Sequence, residues 1–496
     1  LSAGNTTGVF QLESSGITEM VQKLKPNCFD DLVAILALYR PGPLDSGMAD
    51  HYIERKHGRE RVEYIHPLME RSLADTYGIM LYQEQIMQLA RELAGYSLGE
   101  ADLLRKAMGK KIPEEMAKQR VRFVSGSVER GIPERSAGEI FGQMETFARY
   151  GFNRSHSVAY AMVSYQTAYL KAHYPVEFMA ALMSNEAGDT DKILKDLNEC
   201  RKQNMEILPP DVNQSTASFS VSGNAIRYGL SAVKGIGDKA VELIIAERER
   251  GGDFKSIDDF ISRMDSLNKR VIESLIKCGA FDGTGESRRG MLEALEGLLK
   301  KAKTKDNGQL SLFGTAPLKR EVPEWPINQK LSFEREALGF YISGHPLEKF
   351  RAELKKLGVL STDDIKSSSP SVRIAGVVTQ LKLKNTKKGD RYASFLLEDW
   401  LGTIEALVWP DVYRSVANIL VADEPVIVTA RSEITEERRN LVVDSIESLI
   451  SIRDKTARYG LLNLSVDDDL ESQKDRLVNI LEKHRGNCPL KVRIDV

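Results

Sequence analysis

The chain has 496 residues, 42% of them apolar, and its 69 Lys and Arg residues nearly balance its 71 Asp and Glu residues. This length is enough for roughly three or four domains with cores of their own, and the balanced charge excludes a uniformly basic nucleic-acid-binding chain, so any basic surface must be local. No apolar run approaches the ~18 residues of a membrane span and no secretory signal opens the chain, so we expect a cytoplasmic protein without a membrane partner.

Cysteine and histidine positions predict neither disulfides nor a metal site. The four cysteines lie far apart, as is typical of free thiols in a reducing compartment. No histidine stands at zinc-site spacing from a cysteine or carboxylate, no phosphate-binding P-loop motif occurs, and Ser155 and His156 lack a placed acid for a hydrolase triad. We therefore expect this segment to bind no metal and to hold no catalytic residue. Its start at Leu1 and its end in a strand-like run predict a fragment of a longer protein.

Residues 1 to about 207 are predicted to be mainly helical. The apolar run from Asp30 to Tyr39 ends at Arg40-Pro-Gly-Pro43, where two prolines and a glycine force a turn that presents Arg40. Apolar residues at helical spacing between Ile79 and Ala94 predict a second helix, with Gly95 as its C-cap.

Two further helices border a basic turn. One is predicted from Leu98 to Met108, stopped by Gly109, and Pro113 opens the other. Between Leu103 and Arg130, eight basic residues outnumber three acidic ones, which is typical either of a solvated helix face or of a surface that holds a polyanion. The basic residues are Arg105, Lys106, Lys110, Lys111, Lys118, Arg120, Arg122 and Arg130.

The stretch from Val158 to Ala172 has neither Gly nor Pro and is mostly apolar, which predicts a helix largely surrounded by protein and ended before Pro175. Ser155 or Ser157 is predicted to cap the start of this helix. Free backbone N–H groups and the helix dipole favour an anion there, a phosphate above all, although a capped core helix behind a polar loop explains the pattern equally well. The polar residues at this start are Asn153, Arg154, Ser155, His156 and Ser157.

After Leu208 the pattern changes to short strand-like runs followed by a small hairpin and an amphipathic helix. The hairpin is Lys234-Gly235-Ile236-Gly237, followed by Asp238 and Lys239. In a helix-hairpin-helix motif two such glycines let the backbone approach a DNA phosphate without reading the base. A second helical unit at Asn268 to Phe281 strengthens this prediction. A structural turn or a protein-binding copy of the motif is the alternative.

The segment from Lys300 to Glu324 has the polar, charged composition of a linker. It contains one short apolar island, Gln309-Leu310-Ser311-Leu312-Phe313. Apolar residues in a flexible segment have no core to join, so docking into a partner's pocket is predicted, with local packing as the alternative.

From Ser371 onward five strands are predicted, with a short helix from Val412 to Leu420 between the third and fourth. This order matches an OB-fold, which binds single-stranded nucleic acid on one face. Tyr392 and Phe395 are candidate stacking platforms, although a strand aromatic is more often a core residue. Basic residues cluster around the first turn of this barrel: Lys382, Lys384, Lys387, Lys388 and Arg391.

Several long motifs resemble, in order, those of the alpha subunits of bacterial DNA polymerase III, the C-family replicative polymerases. The resemblance covers essentially the whole chain. The motifs run from Thr7 to Ser14, Leu38 to Leu44, Tyr82 to Met87, Leu103 to Lys111, Tyr150 to Ser157 and Ser164 to Pro175.

The resemblance implies a multidomain α+β protein with a mainly helical fingers domain. It assigns residues 1–207 to the fingers, 208–324 to a tandem helix-hairpin-helix domain for the sliding clamp and duplex DNA, and 325–370 to a connector. Residues 371–450 become a five-stranded OB-fold barrel, and residues 451–496 begin a small tail domain that the chain does not complete.

The resemblance also implies the function of a DNA-directed DNA polymerase that adds dNTPs in the 5′-to-3′ direction. The Mg²⁺ ligands would lie in a palm domain outside this chain, so the fragment would lack catalytic aspartates. The implied partners are primer–template DNA, single-stranded DNA, dNTP, the sliding clamp, the clamp loader and a proofreading subunit. The alternative, from another class, is a non-catalytic DNA-binding and clamp-docking module.

The family's sites transfer to matching positions in this chain. Lys234 to Gly237 with Lys239 would bind duplex DNA, and Gln309 to Phe313 would bind the clamp. The family often has two arginines where this chain has Arg105-Lys106, and lysine where this chain has Arg154. The guanidinium group, which can donate two parallel hydrogen bonds to a phosphate, therefore stands at a different position. Triphosphate and template would be received by Arg40, Arg105, Lys106, Lys110, Lys111, Asn153, Arg154, Ser155 and His156.

Overall fold

The computed structural model describes residues 1–110, 113–147, 151–264, 266–306, 322–386, 388–435, 438–456, 460–465, 478–483 and 489–495. Two compact units divide the chain, Leu1–Met183 and Ser184–Val496. The predicted domain limits, including the fingers limit at residue 207, stay predictions. The predicted clamp peptide, Gln309 to Phe313, lies outside the described residues, as do Lys111 and Lys387. No helix among the described residues is long and apolar enough to cross a membrane.

The first unit is built from α-helices. They are α1 Ser15–Leu24, α2 Phe29–Leu38, α3 Pro41–Asp45, α4 Met48–Lys56, α5 Glu70–Leu73, α6 Gln83–Ala94, α7 Leu98–Lys110, α8 Pro113–Glu129, α9 Glu134–Phe147, α10 Arg154–His173 and α11 Pro175–Asn185, which ends just beyond the unit. Gly95 caps α6 in the left-handed conformation, as predicted. The proline–glycine run after Arg40 forms the short helix α3, with Arg40 as its N-cap.

Two apolar cores meet at the start of α6. One core is formed mainly by α6 to α9 and includes Leu89, Phe123 and Phe141. The other is formed by α1, α2, α4 and α10, together with Tyr82 from the segment before α6. Tyr82, directly before α6, belongs to one core and Ile86, in the first turn of α6, belongs to the other, so this turn is packed against both. That turn is where the candidate site is found.

Two predictions about α7 and α10 are wrong. Gly109 does not stop α7, which continues to Lys110, since a glycine lowers helix propensity without forbidding the conformation. α10 is not surrounded by protein: it buries one stripe, Ser157, Ala161, Ser164 and Lys171, and exposes most of its other side chains. An apolar composition all round a helix predicted burial, but here the second apolar face is left in solvent.

The second unit begins with helices and a small sheet. These elements are α12 Thr190–Lys202, β1 Glu206–Leu208, β2 Ser220–Ser222, β3 Ala225–Arg227, α13 Asp238–Gly251, α14 Ile257–Arg263, α15 Lys269–Lys277, α16 Arg288–Asp306, α17 Ile327–Leu338 and α18 Arg351–Leu357. In the sheet β3 is central, parallel to β1 and antiparallel to β2.

A buried ion pair joins α16 to α17. Arg288 and Glu334 are each 1% exposed, and Arg288 Nη1 donates to Glu334 Oε1 at 2.9 Å. Arg288 also makes two bonds to Asp282, at 2.7 and 2.6 Å. Both charges of the buried pair are compensated, which is the condition for such a pair to exist in a core. The pair therefore fixes α17 against the helices of the hairpin region.

The predicted OB-fold is confirmed as a closed barrel. Its elements are β4 Ser369–Asn385, β5 Arg391–Glu398, β6 Thr403–Val408, α19 Pro410–Val416, β7 Pro425–Ile434 and β8 Arg439–Ser448. The strand order is β4-β5-β6-β8-β7, with β6 parallel to β8 and the other described pairs antiparallel. The helix falls between the third and fourth strands, as predicted. Beyond the barrel lie α20 Leu449–Thr456 and the parallel strands β9 Gly460–Ser465 and β10 Leu490–Asp495.

Candidate functional site

The first turn of α6 holds the loop that precedes α10. The backbone N–H of Gln83 donates to Phe152 O at 2.9 Å, and Tyr82 and Phe152 form an isolated parallel bridge. Gln85, which is buried, accepts from the backbone N–H groups of Leu81 and Tyr82 at 2.8 and 2.9 Å. The loop at Phe152 therefore rests on a segment that is itself fixed between the two cores of the unit.

A carboxylate occupies the start of α10. The backbone N–H of Arg154 donates to both oxygens of Glu84, at 3.1 and 3.0 Å, and Asn153 Nδ2 donates to Glu84 Oε1 at 3.0 Å. The partial positive charge of the helix N-terminus is thus already met by an internal anion. The expectation of free N–H groups at this end is wrong for Arg154, because a side chain from a neighbouring helix has taken the place predicted for a phosphate.

The cap of α10 also differs from prediction. Asn153 is the N-cap, and its Oδ1 accepts the backbone N–H of His156 at 2.9 Å. Ser157 does not cap the helix; it is buried, and its Oγ donates to Val33 O at 2.6 Å. Ser155 is exposed on the first turn. The asparagine was singled out from the sequence for its polarity, while its capping role depends on the backbone conformation of the loop.

The cations of this region are paired with carboxylates at its rim. Arg105 donates through Nε and Nη2 to Asp102 Oδ1 at 3.0 and 2.8 Å, and Lys106 Nζ lies 2.7 Å from Asp102 Oδ2. Hydrogen bonds from Lys106 and then Arg105 lower the pKa of the Asp102 carboxyl. Arg154 Nη2 lies 3.3 Å from Asp30 Oδ1. These pairs are half-exposed or exposed, so each is weak and open to exchange for another anion.

Aromatic rings link Arg40 to the same loop. The guanidinium of Arg40 lies 4.3 Å from the Phe152 ring centroid, a cation–π contact. The ring centroids of Phe152 and His156 are 5.5 Å apart, and those of His156 and Tyr160 are 4.3 Å apart. Partial burial lowers the pKa of Arg40. The structure therefore brings Arg40, Arg154 and His156 around one loop.

Among the described residues, Gln83 links Arg105 to this loop. Arg105 Nη1 lies 3.5 Å from Gln83 Oε1, and Gln83 Nε2 donates to Gly151 O at 3.2 Å. The side chain of Lys110 and all of Lys111 lie outside the described residues. Gln83 and Glu84 were missed as functional residues, since a glutamine and a glutamate in the first turn of a helix are ordinary sequence features.

The predicted helix-hairpin-helix turn has the expected backbone. Gly235 has φ +85°, a conformation that favours glycine, and Gly237 is the N-cap of α13 with no atom within 4 Å of the position that a Cβ would take. Lys234, Gly237 and Lys239 are exposed. The side chain of Ile236 is buried at 7% exposure, so it anchors the hairpin and is not available to touch DNA. The backbone N–H of Lys234 donates to Ala337 O at 2.8 Å, which seats the hairpin on α17.

A cation beside this hairpin was missed. Arg270, exposed on the first turn of α15, has its Nε 3.8 Å from the position of a Cβ on Gly235. Asn268 caps α15 by accepting the backbone N–H of Val271 at 3.0 Å. The second helical unit predicted at Asn268 therefore places a guanidinium next to the first hairpin. Sequence alone does not pair these two positions, which are 35 residues apart.

One face of the barrel combines basic and aromatic side chains. In the β4–β5 pair Lys384 faces Tyr392 and Lys382 faces Ser394. Tyr392 stacks on Trp409, with centroids 5.9 Å apart and an interplanar angle of 29°, and Trp409 is 47% exposed. Lys388 and Arg391 are also exposed on this hairpin.

The prediction of Phe395 as a stacking platform is wrong. Phe395 is 2% exposed and belongs to the apolar core inside the barrel. The alternation of a strand sends Tyr392 and Phe395, three residues apart, to opposite faces. Trp409, which does expose its ring beside Tyr392, was missed because it lies at the end of the next strand and its proximity depends on strand pairing.

Comparison with known families matches three parts of the chain. Residues 1–131 match the bacterial DNA polymerase III alpha subunit finger domain, residues 204–291 a helix-hairpin-helix motif, and residues 372–449 an OB-fold nucleic acid binding domain.

Curated relatives match over the whole chain. The DNA polymerase III subunit alpha of Thermus aquaticus is 43% identical over 518 aligned residues, which cover 100% of this chain and 42% of the relative. That of Vibrio cholerae is 42% identical, covering 99% of this chain and 45% of the relative. That of Aquifex aeolicus is 42% identical, covering 98% and 42%. The chain therefore spans less than half the length of the curated relatives that it matches.

Proposed function

Because the chain belongs to the family of bacterial DNA polymerase III alpha subunits, we propose that it forms part of a replicative DNA-directed DNA polymerase. In such an enzyme the primer 3′-hydroxyl would attack the alpha-phosphate of a dNTP and displace pyrophosphate, and Mg²⁺ ions held by residues outside this chain would supply stabilisation of the developing charge. Among the described residues no group of three His, Cys, Asp or Glu side chains could hold a metal ion. The proposed role of this chain is to bind and orient DNA and dNTP, and no metal-dependent step is assigned to it.

The loop before α10 is the proposed triphosphate site, and the convergence of Arg40, Arg154 and His156 on this loop is the observation that carries the proposal. The carboxylate of Glu84 occupies the backbone N–H of Arg154 and would repel a phosphate there, so basic side chains would bind the triphosphate instead. Arg154 exchanges its weak pair with Asp30 for a phosphate oxygen, and Asn153 holds the loop. Arg105, Lys106, Lys110, Lys111 and Ser155 complete the proposed surface.

The test is single-nucleotide incorporation by the full-length enzyme carrying Arg154→Ala. Loss of one charge-assisted hydrogen bond, worth about 1.5–3 kcal/mol, should raise the KM for dNTP by roughly ten- to a hundredfold. Arg135→Ala is the matched control, since Arg135 is 91% exposed on α9 and pairs with Glu139 one turn away. An unchanged KM and turnover for Arg154→Ala would refute the site.

Two further surfaces are proposed to hold DNA. The hairpin Lys234–Gly237, with Lys239 and the newly recognised Arg270, would bind duplex phosphates through backbone N–H groups and cations, without reading sequence. The stacked Tyr392 and Trp409, with Lys382, Lys384, Lys387, Lys388 and Arg391, would bind a single strand by base stacking and phosphate contacts. The exposed backbone of Gly237 supports the first assignment, and the exposed ring of Trp409 supports the second.

Clamp docking through Gln309 to Phe313 also belongs to the proposal. Deleting these five residues from the full-length enzyme should reduce processivity on clamp-loaded DNA and leave single-nucleotide incorporation intact. Equal loss of both would show that the segment supports the fold. Contacts with a clamp loader and with a proofreading subunit are proposed for the complete protein alone.

A further inference from the structure

A second aromatic series lies on the exposed side of α10, away from the loop that begins the helix. Tyr165, Tyr169 and His173 follow one another at four-residue spacing, which places them in line along one helix face. The Tyr165 and Tyr169 centroids are 6.2 Å apart, and those of Tyr169 and His173 are 4.1 Å apart. Phe29 extends the series, 6.3 Å from Tyr165. We name Tyr165, Tyr169 and His173 the α10 strip.

The α10 strip is not part of the core of its unit. Tyr165 is 48% exposed and Tyr169 is 47% exposed, whereas the packed side of α10 is formed by Ala161 and Ser164. Exposed Met162 and Leu170 lie on the same helix. Aromatic rings that leave half their surface in water, in a row, are suited to a partner that stacks on them.

The α10 helix has no side-chain carboxylate that would repel an anionic partner. α10 is 20 residues long and contains no Asp or Glu, although the whole chain has 71 such residues among 496. Its ionisable side chains are Arg154, His156 and His173, three tyrosines, and Lys171, which is buried and donates through Nζ to Thr7 O at 2.9 Å. Asp30, which follows Phe29, is paired with Arg154. A strand of phosphates could therefore run along the helix without meeting a carboxylate that α10 itself carries.

The α10 strip is continuous with the proposed triphosphate site, because both are on one helix. The rings of Phe152, His156 and Tyr160 form the series at the N-terminal end of α10. From Tyr165 to His173 the helix rises about 12 Å, a length that suits several stacked bases. A protein surface would also cover apolar rings, but it would not require the absence of carboxylates.

We infer that the α10 strip binds unpaired single-stranded DNA, namely the template next to the nucleotide site, by stacking of its bases on Tyr165 and Tyr169. This inference rests on the proposed function and adds a second contact for the single strand, distinct from the barrel face. Aromatic platforms of this kind tolerate any base, because every base has a π-face.

The first experiment uses the 496-residue chain and single-stranded DNA carrying 5-iodouracil, which crosslinks to stacked aromatic side chains on irradiation. Mass spectrometry then locates the adducts. We expect adducts on Tyr165, Tyr169 or His173, with Trp409 and Tyr392 as internal reference positions. Adducts confined to other parts of the chain, or none on the peptides of α10, would overturn the inference.

The second experiment tests whether single-strand binding requires the aromatic rings or only an apolar surface. Tyr165→Leu with Tyr169→Leu keeps an apolar face but removes both rings, and should weaken single-strand affinity roughly tenfold by loss of stacking. Tyr165→Phe with Tyr169→Phe keeps the rings and should stay within about twofold of the parent. Equal affinity of both double variants would mean that the face serves a protein surface, and the inference would fail.

A third measurement distinguishes failure of this inference from failure of the proposed function. In the full-length enzyme the Leu double variant should lose the gain in primer–template affinity that a long unpaired template gives over a one-nucleotide overhang. Its KM for dNTP on the short overhang should be unchanged. If the overhang effect is unaltered while the enzyme still incorporates dNTP, only the α10 strip is refuted.

Discussion

α10 and α13 both begin where the sequence predicts a phosphate, yet the two helix starts differ in what surrounds them. At α10 the backbone N–H of Arg154 is bound by Glu84, and the N–H of His156 is bound by the cap residue Asn153. At α13 the cap residue is Gly237, which carries no side chain, and among the described residues no acceptor meets the backbone N–H of Asp238 or Lys239.

The difference teaches that a helix dipole alone does not make a phosphate site. Both helices present positive N-termini, but at α10 an internal carboxylate already binds the backbone N–H of Arg154, whereas among the described residues no side chain binds the backbone N–H of Asp238 or Lys239 at α13. At α10 the surrounding side chains must bind the ligand instead. This favours recognition of a specific ligand by side chains over non-specific binding by backbone N–H groups. This distinction suits a triphosphate site at α10 and a sequence-independent duplex site at α13.

The largest expected effect comes from removing the support of the α13 hairpin. Arg288→Met leaves the charge of Glu334 buried without its cationic partner, although Ile342 and Ser343 still donate to this carboxylate, and should cost about 3–5 kcal/mol of local stability. Since Lys234 is seated on α17, and α17 is fixed by Arg288, the hairpin should lose its seat and duplex affinity should fall.

Amide hydrogen exchange of the full chain measures this locally. Protection should fall in α15 to α17 and remain in α6 to α10. Glu296→Gln is the control. Glu296 lies on α16 and forms an exposed ion pair with Lys269 of α15, so this substitution should change protection little. Uniform loss of protection in both units, or none in either, would contradict the assigned support.

Gly237→Val tests directly whether the free backbone at α13 binds phosphate. Gly237 has φ −92°, which valine adopts without strain, and the space around it is open. The fold should therefore tolerate the side chain, while its methyl groups block the approach of a phosphate. We expect at least a tenfold loss of duplex affinity, equivalent to about 1.4 kcal/mol, at an unchanged melting temperature.

Gly344→Val provides the matched control for that substitution. Gly344 is also exposed, with open space around it, and its backbone is not in the left-handed region. It should leave both duplex affinity and melting temperature unchanged. If Gly237→Val binds duplex DNA as the parent does, the open start of α13 is a structural turn.

The sequence predicted elements better than it predicted neighbours. The five strands and the helix of the barrel follow from alternation and turn residues, which are local signals. Gly95 was identified as a C-cap for the same reason. The occupation of α10 by Glu84 could not be predicted, because it joins residues 70 positions apart.

Side-chain exposure also differed from prediction, at α10 and at Phe395. α10 was expected to be surrounded and is largely exposed, while Phe395, named as a candidate stacking platform with a core position as the alternative, is in the barrel core. Composition states how apolar a face is, but only packing decides whether something covers it. Arg270 and Trp409, two of the missed candidates, each depend on pairing between separate elements, and neither carries a local motif.

Salt dependence sharpens the comparison by counting phosphate contacts. Lys234→Ala with Arg270→Ala removes two cations beside the α13 hairpin, so the slope of log affinity for duplex DNA against log salt should fall in magnitude by about 2. Lys355→Ala with Lys356→Ala, two exposed lysines of α18, is the control and should keep the parent slope. Equal slopes for the two double variants would exclude Arg270 and Lys234 from the duplex contact.

The smallest expected effect tests the occupied helix start. Glu84→Gln keeps an oxygen that can accept the backbone N–H of Arg154 but removes the negative charge that repels a phosphate. A helix N-terminus interacts with a charge by about 0.3–1 kcal/mol, so the KM for dNTP in the full-length enzyme should fall roughly two- to fivefold. Glu129→Gln at the end of α8 should leave this KM unchanged. A KM that rises in Glu84→Gln would mean that the carboxylate positions the loop for the triphosphate, and that α10 and α13 differ in how they are held more than in what they admit.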